Sequence, residues 1–591
     1  MILIALDLAA AFLGTAGWIG VAVATATRRT WLARALVALA LVATLARIAT
    51  TAGLAAAGWW FVQEKVTLTL PLALAGGIFA VVQLRAGRAV PGALIGGYAA
   101  AAGLIFPLLI GYPATWSAAL VTVALVSAAA LITWRAAVTP PPRTAVAGVT
   151  AVGLVGAGLA FLGGPSHASE TGRPITELRG PTTPAPGGVV RRFTLTAQEA
   201  TIRLASGTEV AAWTFNGQSP GPALTATEGD LIEVTLRNAD IADGVTLHWH
   251  GYDVANAEDG AAGVTQDEVR PGQEHVYRFR ADQVGTYWYH THQVSDPAVR
   301  KGLFGTLVVG PSTGLDLTLP VHTFSGTLAV GNHDGVDNRQ VAGGTPVRLR
   351  LINTDSVPRR FALAGTAYRV VAVDGNDLNR PGELTEAGLR VPAGGRYDLA
   401  FTAPSTPVAL LVGDDVRVTF NGASRPDSAD WPELDLTTYG EPAPTPYDRS
   451  TYVDKSVTLV LDRGVALAGG RPKYAQTVNG QAYPSTDTPV VREGDLVRFT
   501  VVNRSLETHP WHLHGHRVLV LAKDGRAPTG SPLLLDTFDV RPGEVWEVGF
   551  RADNPGYWMN HCHNLSHAQQ GMVTHLAYAG FSTPFHGGTA H

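Results

Sequence analysis

The sequence has little sulfur and little excess of either charge. Its 591 residues include one cysteine and three methionines, and 48 acidic against 44 basic side chains leave a net charge of −4. A single thiol excludes a disulfide framework within the chain. The absence of a basic run argues against a nucleic-acid partner. The first histidine is His167, and this argues against haem ligation in the region before it.

Long apolar runs distinguish the first part of the chain. Segments of membrane-spanning length lie at about 1–27, 33–61, 66–84, 90–111, 116–134 and 144–163. Their number and length exclude a single cleaved signal peptide. The sequence therefore predicts an α-helical transmembrane domain of about six helices over residues 1–164, embedded in the lipid bilayer.

Arginines indicate how these helices are oriented. They follow the first, third and fifth segments, at Arg28, Arg29, Arg34, Arg85, Arg88, Arg135 and Arg143. By the positive-inside rule those loops are cytoplasmic. The rest of the chain is then extracytoplasmic, joined to a multi-pass region of the cell membrane by a flexible Pro/Gly/Thr-rich linker at 165–189.

Two ionisable residues fall inside the predicted spans. Asp7 and Arg47 could pair across the first two helices, which would suggest a functional role. The alternative is an aspartate at the outer helix end and an arginine that extends to the membrane surface. We interpret the helical region as an anchor.

An internal repeat organises the remainder of the chain. Glu-Gly-Asp-Leu occurs at 228–231 and again at 493–496, and Arg-Ala-Asp occurs at 280–282 and 551–553. A third copy between them includes Val-Pro-Ala-Gly-Gly-Arg at 391–396. Alternating apolar and polar residues broken by Gly, Pro and Asp predict β-sandwich or Greek-key barrel domains. We place these domains at 190–312, 313–445 and 446–582, followed by a tail at 583–591.

Histidine pairs occur in the outer two copies only. Eight histidines form four non-overlapping His-x-His motifs, at His248/His250, His290/His292, His512/His514 and His561/His563. In a strand this spacing places both imidazoles of a motif on one face, and neutral imidazole is a common copper ligand. The sequence thus predicts a metal cluster where the outer domains meet, with the middle domain as a spacer. A tandem β-sandwich adhesion array would explain the repeat but not the histidines.

The only cysteine lies inside the last of these motifs. Cys562 is flanked by His561 and His563 and is followed by His567 and Met572. A His₂Cys site with a long axial Met is typical of blue-copper electron transfer, and His509 is the candidate for the second histidine. Strand alternation would direct Cys562 to one face and its neighbouring histidines to the other, so one segment would touch two metal sites. The alternative is a buried structural cysteine.

Together these motifs resemble the copper motifs of the multicopper oxidases, in particular the three-domain laccase-like branch, over about residues 190–580. The resemblance implies an all-β part of three cupredoxin-like domains and four copper ions. It implies the following ligands: type 1 copper at His509, Cys562, His567 and Met572; type 2 copper at His248 and His512; and the type 3 pair at His250, His290, His292, His514, His561 and His563.

The resemblance also implies a reaction. A phenol, aromatic amine or low-valent metal ion would lose single electrons at type 1 copper, near His509 or His567. The electrons would pass through Cys562, His561 and His563 to reduce dioxygen to water by four electrons. Asp259 matches an acidic position that laccases use near the cluster, although it could be a turn residue. Many bacterial relatives have a glutamate where this chain has Ala568.

The substrate is less constrained by the sequence. Glu507 and the Asp536/Asp539 pair could be substrate-face carboxylates or solvated loop and strand residues. The scarcity of methionine weakens a Cu(I)-oxidase interpretation, although a metallo-oxidase for Cu(I), Fe(II) or Mn(II) is the main alternative. A copper nitrite reductase is disfavoured by the complete type 3 set. A non-catalytic copper-binding protein is the remaining alternative.

Overall fold

A computed structural model describes residues 2–109, 112–114, 116–138, 172–312, 314–422, 426–468 and 471–585. These residues form two compact units. The first unit contains the N-terminal helices together with Leu459–Thr486 and Asn503–Leu506, and the second contains the rest.

Among the described residues, five helical segments of the first unit are long and apolar enough to cross a membrane. The helices are α1 (Ile2–Ala26), α2 (Thr30–Ala57), α3 (Leu70–Gln83), α4 (Val90–Leu109) and α5 (Trp116–Val138). A 3₁₀ turn (Trp59–Phe61) follows α2, and a π-helical turn (Lys65–Thr69) joins α3 to complete the third segment, Lys65–Gln83. The predicted segment at 144–163 lies outside the described residues.

Small residues allow these helices to approach closely. A Cβ added to Gly17 of α1 would lie 2.9 Å from the Cβ of Ala40 in α2. A Cβ added to Gly76 of α3 would lie 2.5 Å from the backbone nitrogen of Gly96 in α4. Such contacts are typical of helices that associate inside a membrane, where packing and not water exclusion favours association.

The first unit also contains a buried chain of ion pairs. Asp7 lies 3.8 Å from Arg47 Nε and 3.7 Å from Lys65 Nζ. Lys65 lies 2.9 Å from Glu64, and Arg504 lies 3.0 Å from the same Glu64 oxygen. The side chain of Arg47 is only 3% exposed and donates to the carbonyl of Gly103, so it does not extend to the surface. The pairing of Asp7 with Arg47 considered from the sequence is present.

The first β-domain consists of two four-stranded sheets, β3-β2-β5-β7 and β4-β9-β8-β6. The strand β1 (Arg173–Pro174) precedes these sheets. The strands of the two sheets are β2 (Val190–Arg203), β3 (Glu209–Phe215), β4 (Leu224–Ala226), β5 (Leu231–Asn238), β6 (His248–His250), β7 (Glu274–Arg280), β8 (Gly285–His290) and β9 (Phe304–Val309), with the short helix α6 (Ser295–Arg300) before β9. Its core includes Phe215, Trp249, Tyr277 and Tyr289 between the sheets.

The middle domain has sheets of six and five strands, in the orders β11-β10-β13-β18-β15-β16 and β12-β20-β19-β14-β17. Its strands are β10 (Leu315–Phe324), β11 (Thr327–Val330), β12 (Asp337–Arg339), β13 (Pro346–Asn353), β14 (Arg359–Ala364), β15 (Arg369–Val373), β16 (Asn376–Asp377), β17 (Gly388–Val391), β18 (Arg396–Thr402), β19 (Val408–Val412) and β20 (Asp415–Phe420).

The third domain repeats this pattern. Its strands are β21 (Lys455–Ala468), β22 (Arg471–Val478), β23 (Val490–Val491), β24 (Leu496–Asn503), β25 (His509–Leu513), β26 (Val518–Lys523), β27 (Leu534–Leu535), β28 (Thr537–Val540), β29 (Val545–Arg551), β30 (Tyr557–Cys562), β31 (Val573–Tyr578) and β32 (Phe581–Ser582), with helix α7 (Leu565–Gln569) after β30. One sheet has the order β23-β31-β30-β25-β28. In the other, β24, β29, β26 and β27 are consecutive neighbours, while β21 forms a hairpin with β22.

The prediction of cupredoxin-like β-domains after apolar helices is confirmed. The expectation of a flexible linker does not hold for residues 172–189, the part of 165–189 that the structure describes. Ile175 is completely buried, and β1 pairs in parallel with β32 of the third domain. An apolar side chain and backbone hydrogen bonds therefore fix this segment, despite its Pro- and Gly-rich composition.

Candidate metal centre

Strand pairing brings the histidine motifs together. In the first domain β6 pairs with β8, and His248 lies directly opposite His290. In the third domain β25 pairs with β30, and His512 lies opposite His561. Directly opposed residues of antiparallel strands project from the same face, so each pairing sets two motifs side by side. The two domains also meet, since the rings of His250 and His512 stack with centroids 3.9 Å apart.

A sulfur and two imidazoles converge on the other face of β30. Cys562 Sγ lies 3.6 Å from His509 Nδ1 and 3.8 Å from His567 Nδ1, and those two nitrogens are 3.1 Å apart. The Met572 carbonyl accepts the Cys562 N–H at 3.1 Å, and the Met572 side chain is fully buried. The chain thus brings all four predicted type 1 ligands into one region.

Burial sets the protonation of this group. It raises the pKa of the Cys562 thiol. It also lowers the pKa of His509 well below its usual value, so the imidazole is neutral. A thiolate at this position needs a neighbouring cation to offset the cost of burying its charge. Neutral imidazoles beside a potential thiolate are suited to a soft metal ion.

Three further imidazoles form a first trio, in which the ring nitrogens converge. His561 Nε2 lies 3.4 Å from His292 Nε2 and 3.2 Å from His514 Nε2. The opposite nitrogens point away: His561 Nδ1 lies 3.0 Å from the carbonyl of Cys562, and His514 Nδ1 lies 3.0 Å from a carboxylate oxygen of Asp259. Second partners of this kind fix the orientation of metal-binding imidazoles.

A second trio lies beside the first. Ring centroids are 4.7 Å apart for His250 and His563, 5.5 Å for His290 and His563, and 5.8 Å for His250 and His290. His290 Nδ1 lies 2.9 Å from the carbonyl of Thr291, so its Nε2 is left to face the cluster.

The remaining two imidazoles, of His248 and His512, are each held through Nδ1 by the backbone carbonyl of an aspartate. His248 Nδ1 lies 3.0 Å from the carbonyl of Asp259, and His512 Nδ1 lies 2.9 Å from the carbonyl of Asp536. A neutral imidazole that donates from Nδ1 presents the lone pair of Nε2. The two domains therefore offer one Nε2 each, from matching positions of the repeat.

Unsatisfied ring nitrogens support a metal role. Among the described cluster histidines, buried ring nitrogens without a hydrogen-bond partner include Nε2 of His248, His290 and His512, Nδ1 of His250, and both nitrogens of His563. Burial lowers the pKa of His250 and His512 well below the usual value, with further lowering by neighbouring imidazoles. Buried polar atoms rarely remain unpaired in proteins, and neutral imidazoles in such numbers fit bound copper ions.

Asp259 lies within the histidine cluster. Its two carboxylate oxygens are 3.1 Å from His248 Nδ1 and 3.0 Å from His514 Nδ1, and it is 1% exposed. It follows a 3₁₀ turn (Asn256–Glu258), whose last residue holds Arg278 N–H through its own carboxylate. Asp259 is therefore a cluster residue as well as a turn residue.

The other predicted acids lie in different environments. Glu507 lies 3.7 Å from His567 Nε2 and its side chain is 42% exposed, so its role as a substrate-face carboxylate stays a prediction. Asp536 is not a solvated surface carboxylate, which corrects that expectation, and Asp539 is half-buried. Asp536 is buried beside the cluster, and Asp539 forms a 2.6 Å ion pair with Arg390.

Two residues of the middle domain were not anticipated. Arg396 and Asp374 are both buried, and both contact the Asp536–Thr537 segment. Burial, together with the charge of Asp536, raises the pKa of Asp374 to about 7. The only sequence feature that marked either residue was the position of Arg396 at the end of the repeated Pro/Gly turn. The contact itself could not be predicted, because Arg396 and Asp536 lie 140 residues apart in sequence.

The β-domain fold, the group of Cys562 with His509 and His567, and the histidine cluster together define a copper-binding redox protein of the cupredoxin class. Comparison with known proteins is consistent with this. Two family models, each described as multicopper oxidase, match residues 196–314 and 459–580.

Individual relatives match over different extents. Multicopper oxidase MmcO of Mycobacterium tuberculosis (strain ATCC 25618 / H37Rv) is 28% identical over 443 residues, which cover 65% of this chain and 86% of the relative. Laccase-2 of Botryotinia fuckeliana is 42% identical over 132 residues, but the match covers only 21% of this chain and 22% of the laccase.

Solved structures extend the similarity to the fold. A multi-copper oxidase from Pseudomonas thermotolerans is 27% identical with a TM-score of 0.54, and the match covers 66% of this chain and all of that chain. Fet3p, a multicopper oxidase that functions in iron import, is 21% identical with a TM-score of 0.57 over 66% of this chain and 91% of its own, and shows the fold alone. Both outer β-domains thus match the multicopper oxidase family, and these matches support an oxidoreductase.

Proposed function

We propose that this chain is a membrane-anchored, laccase-like oxidase that carries four copper ions. The geometry supports one set of ligands for each copper ion. This assignment depends on one observation, which is that Cys562 Sγ lies close to the Nδ1 atoms of His509 and His567. Type 1 copper is held by His509, Cys562, His567 and Met572; type 2 copper by His248 and His512; and the type 3 pair by His250, His290 and His563 on one side and His292, His514 and His561 on the other.

Copper, when bound, supplies single-electron acceptance from a reductant at the sulfur group and four-electron reduction of dioxygen to water at the histidine cluster. The polypeptide itself connects the Cys562 group to the histidine cluster. Cys562 ends β30 with its sulfur on one face, while His561 on the opposite face contributes to the first trio. His561 Nδ1 also lies 3.0 Å from the Cys562 carbonyl, which offers a second link between the two groups.

Asp259 is proposed to transfer protons to the cluster. Its carboxylate contacts one imidazole from each outer domain, His248 at 3.1 Å and His514 at 3.0 Å. Proton transfer by a well-positioned carboxylate typically accelerates a reaction by about 10²–10⁴-fold. Ala568 has no ionisable group, so the glutamate route of many bacterial relatives is closed here.

The reductant is proposed to bind at the edge of His567. That residue is 7% exposed, whereas His509 is completely buried. Glu507 beside it can accept a hydrogen bond from a phenol or aromatic amine, and can also attract a cation. Phenols, aromatic amines and low-valent metal ions therefore all suit this edge.

A metallo-oxidase is the second candidate. The carboxylate of Glu507 favours Fe(II) or Mn(II), for which oxygen ligands are suitable. Cu(I) favours thioether ligands, but Met559 and Met572 are both buried. A copper nitrite reductase and a non-catalytic copper protein leave the two complete imidazole trios without a purpose.

The oxidase domains are proposed to lie outside the cytoplasm. Glu64 lies between α2 and α3, at the end of the bundle opposite the arginine-rich loop after α1. Arginine-rich loops follow the first, third and fifth apolar segments, so after six spans the chain continues on the other side of the membrane. The positive-inside rule places the arginine-rich loop in the cytoplasm and the Glu64 end outside.

The experiment that tests this proposal is copper counting combined with oxygen consumption by the full chain in detergent. Four copper ions per chain, a blue absorption band and oxygen uptake with a phenol or Fe(II) are expected. A panel of simple phenols, Fe(II), Mn(II) and Cu(I) would rank the substrates. A protein with four copper ions but no oxygen uptake with any of them would refute the oxidase.

A further inference from the structure

The middle domain contacts the histidine cluster although it has no His-x-His motif. Its turn between β17 and β18 lies against the rings: a Cβ on Gly394 would be 2.8 Å from His250 Cε1 and 3.1 Å from His563 Cγ. Gly394 has a φ of +84°, which side chains disfavour. Its carbonyl also accepts the indole N–H of Trp288 at 3.2 Å. This approach is possible only because the residue is glycine.

Arg396, two residues later, joins all three domains. Its Nη1 and Nη2 donate to the two carboxylate oxygens of Asp536 in the third domain, both at 2.6 Å. Its Nε donates to the carbonyl of Thr286 in the first domain at 3.2 Å. The guanidinium is completely buried. Bidentate Arg–carboxylate pairs are among the strongest and most directional contacts in proteins.

Asp536, the carboxylate that pairs with Arg396, contacts two cluster histidines. Asp536 Oδ1 lies 3.3 Å from His250 Nε2, and its backbone carbonyl accepts from His512 Nδ1 at 2.9 Å. The Thr537 hydroxyl donates to Asp536 Oδ1 at 2.9 Å, and lies 3.0 Å from His250 Nε2 and 3.1 Å from His512 Nδ1. These contacts engage one nitrogen of each ring and leave His250 Nδ1 and His512 Nε2 buried without a hydrogen-bond partner among the described residues.

Asp374 holds the same segment from the backbone side. One of its carboxylate oxygens accepts the N–H groups of Asp536 and Thr537, at 3.3 Å and 3.2 Å. The other accepts the N–H of Arg396 at 3.0 Å. The two middle-domain residues therefore fix both the side chain and the main chain of Asp536.

We propose that Arg396 and Asp374 are positioning residues for copper binding, through Asp536 and Thr537, at His512 and His250. The inference rests on the proposed copper cluster and adds that the middle domain helps to assemble it. It makes the cluster a product of all three domains. Loss of such second partners typically weakens metal binding about 10–100-fold.

The test is Arg396→Lys, which keeps the positive charge but loses the bidentate fork. Arg350→Lys is a matched control. Arg350 is also buried, forms a bidentate pair with Asp316 and donates to Thr286 Oγ1 of the first domain, but it contacts no cluster histidine. Both variants should lose thermal stability, since each removes a buried bidentate pair.

The readouts are copper content, Cu(II) titration of the metal-free chain and the EPR spectrum of type 2 copper. In Arg396→Lys one copper should bind at least about tenfold more weakly and the type 2 spectrum should change, while the blue band persists. Arg350→Lys should keep the wild-type copper content and spectrum. Unchanged copper binding and spectrum in Arg396→Lys, or equal changes in both variants, would overturn the inference.

Asp374→Asn is the second variant, and it decides the question if Arg396→Lys does not accumulate. It keeps the side-chain volume but replaces one accepting oxygen with a donor, so it should reproduce the spectral change. A wild-type spectrum and copper content in Asp374→Asn would overturn the inference. Failure of the wild-type chain to bind four copper ions would instead count against the proposed function, which keeps the two failures distinct.

Discussion

Replacement of Asp259 by asparagine separates proton transfer from copper binding. The carboxylate contacts His248 Nδ1 and His514 Nδ1, but His248 Nδ1 is also 3.0 Å from the Asp259 backbone carbonyl, which the substitution leaves in place. The amide oxygen of asparagine can still accept from His514. The histidine cluster should therefore keep its orientation in Asp259→Asn.

The two effects differ in size. A hydrogen bond to a charged acceptor exceeds one to a neutral acceptor by about 1 kcal/mol, equivalent to about fivefold in metal affinity. Loss of a proton-transferring acid costs about 10²–10⁴-fold in rate. Asp259→Asn should then slow oxygen reduction at least about a hundredfold while copper content and the blue band stay close to wild type.

The assay is rapid mixing of the fully reduced, copper-loaded protein with dioxygen, with return of the blue band as the readout. Glu258→Gln is the control, because Glu258 is also buried but pairs with Arg179 and the Arg278 N–H instead of a histidine. It should reoxidise at the wild-type rate. Reoxidation of Asp259→Asn at full rate, or an equal slowing in both variants, would refute the proton-transfer role.

Two further outcomes follow from the site. Glu507→Gln should raise the KM for Fe(II) by about two- to fivefold, which is the range for loss of an exposed ion pair. The increase should be smaller at high salt, and the KM for a neutral phenol should stay unchanged. Equal effects on both substrates would argue against an electrostatic role. Acid should destabilise the metal-free protein. Burial lowers the pKa of His250 and His512 in the folded chain well below 6.5. At pH values between the lowered pKa and 6.5, the unfolded chain therefore binds more protons than the folded chain. Its melting temperature should therefore be highest above about pH 6.5 and fall steadily below it, and a pH series with a flat or opposite trend would contradict the burial of neutral imidazoles.

Local sequence patterns were sufficient to predict the β-domains and the histidine motifs that the structure brings together. A His-x-His spacing fixes two rings on one strand face whatever the partner strand, and the repeat placed matching motifs in both outer domains. The position of Cys562 between two histidines likewise required no tertiary information. The Asp7–Arg47 pair was visible as two charges at similar depths in neighbouring apolar segments.

The meeting of the outer domains was predicted from the histidine motifs, but individual side-chain and strand contacts between domains could not be predicted in this way. Asp536 looked like a surface carboxylate because Arg396 and Asp374, which bury and pair it, lie 140 and 162 residues away. The order in residues 172–189 was missed for the same reason, since β1 pairs with β32 at the far end of the chain. Which imidazole edge faces solvent, His567 rather than His509, also depends on packing that no local pattern encodes.

The most direct test of the whole account is Cys562→Ser. Serine keeps the size of the side chain but removes the sulfur that lies 3.6 Å and 3.8 Å from the two imidazole nitrogens. The copper-loaded variant should lose the blue band and its oxygen consumption with every reductant, while three copper ions remain at the histidine cluster. A variant that keeps both its colour and its oxygen consumption would contradict the assignment of electron transfer to this residue.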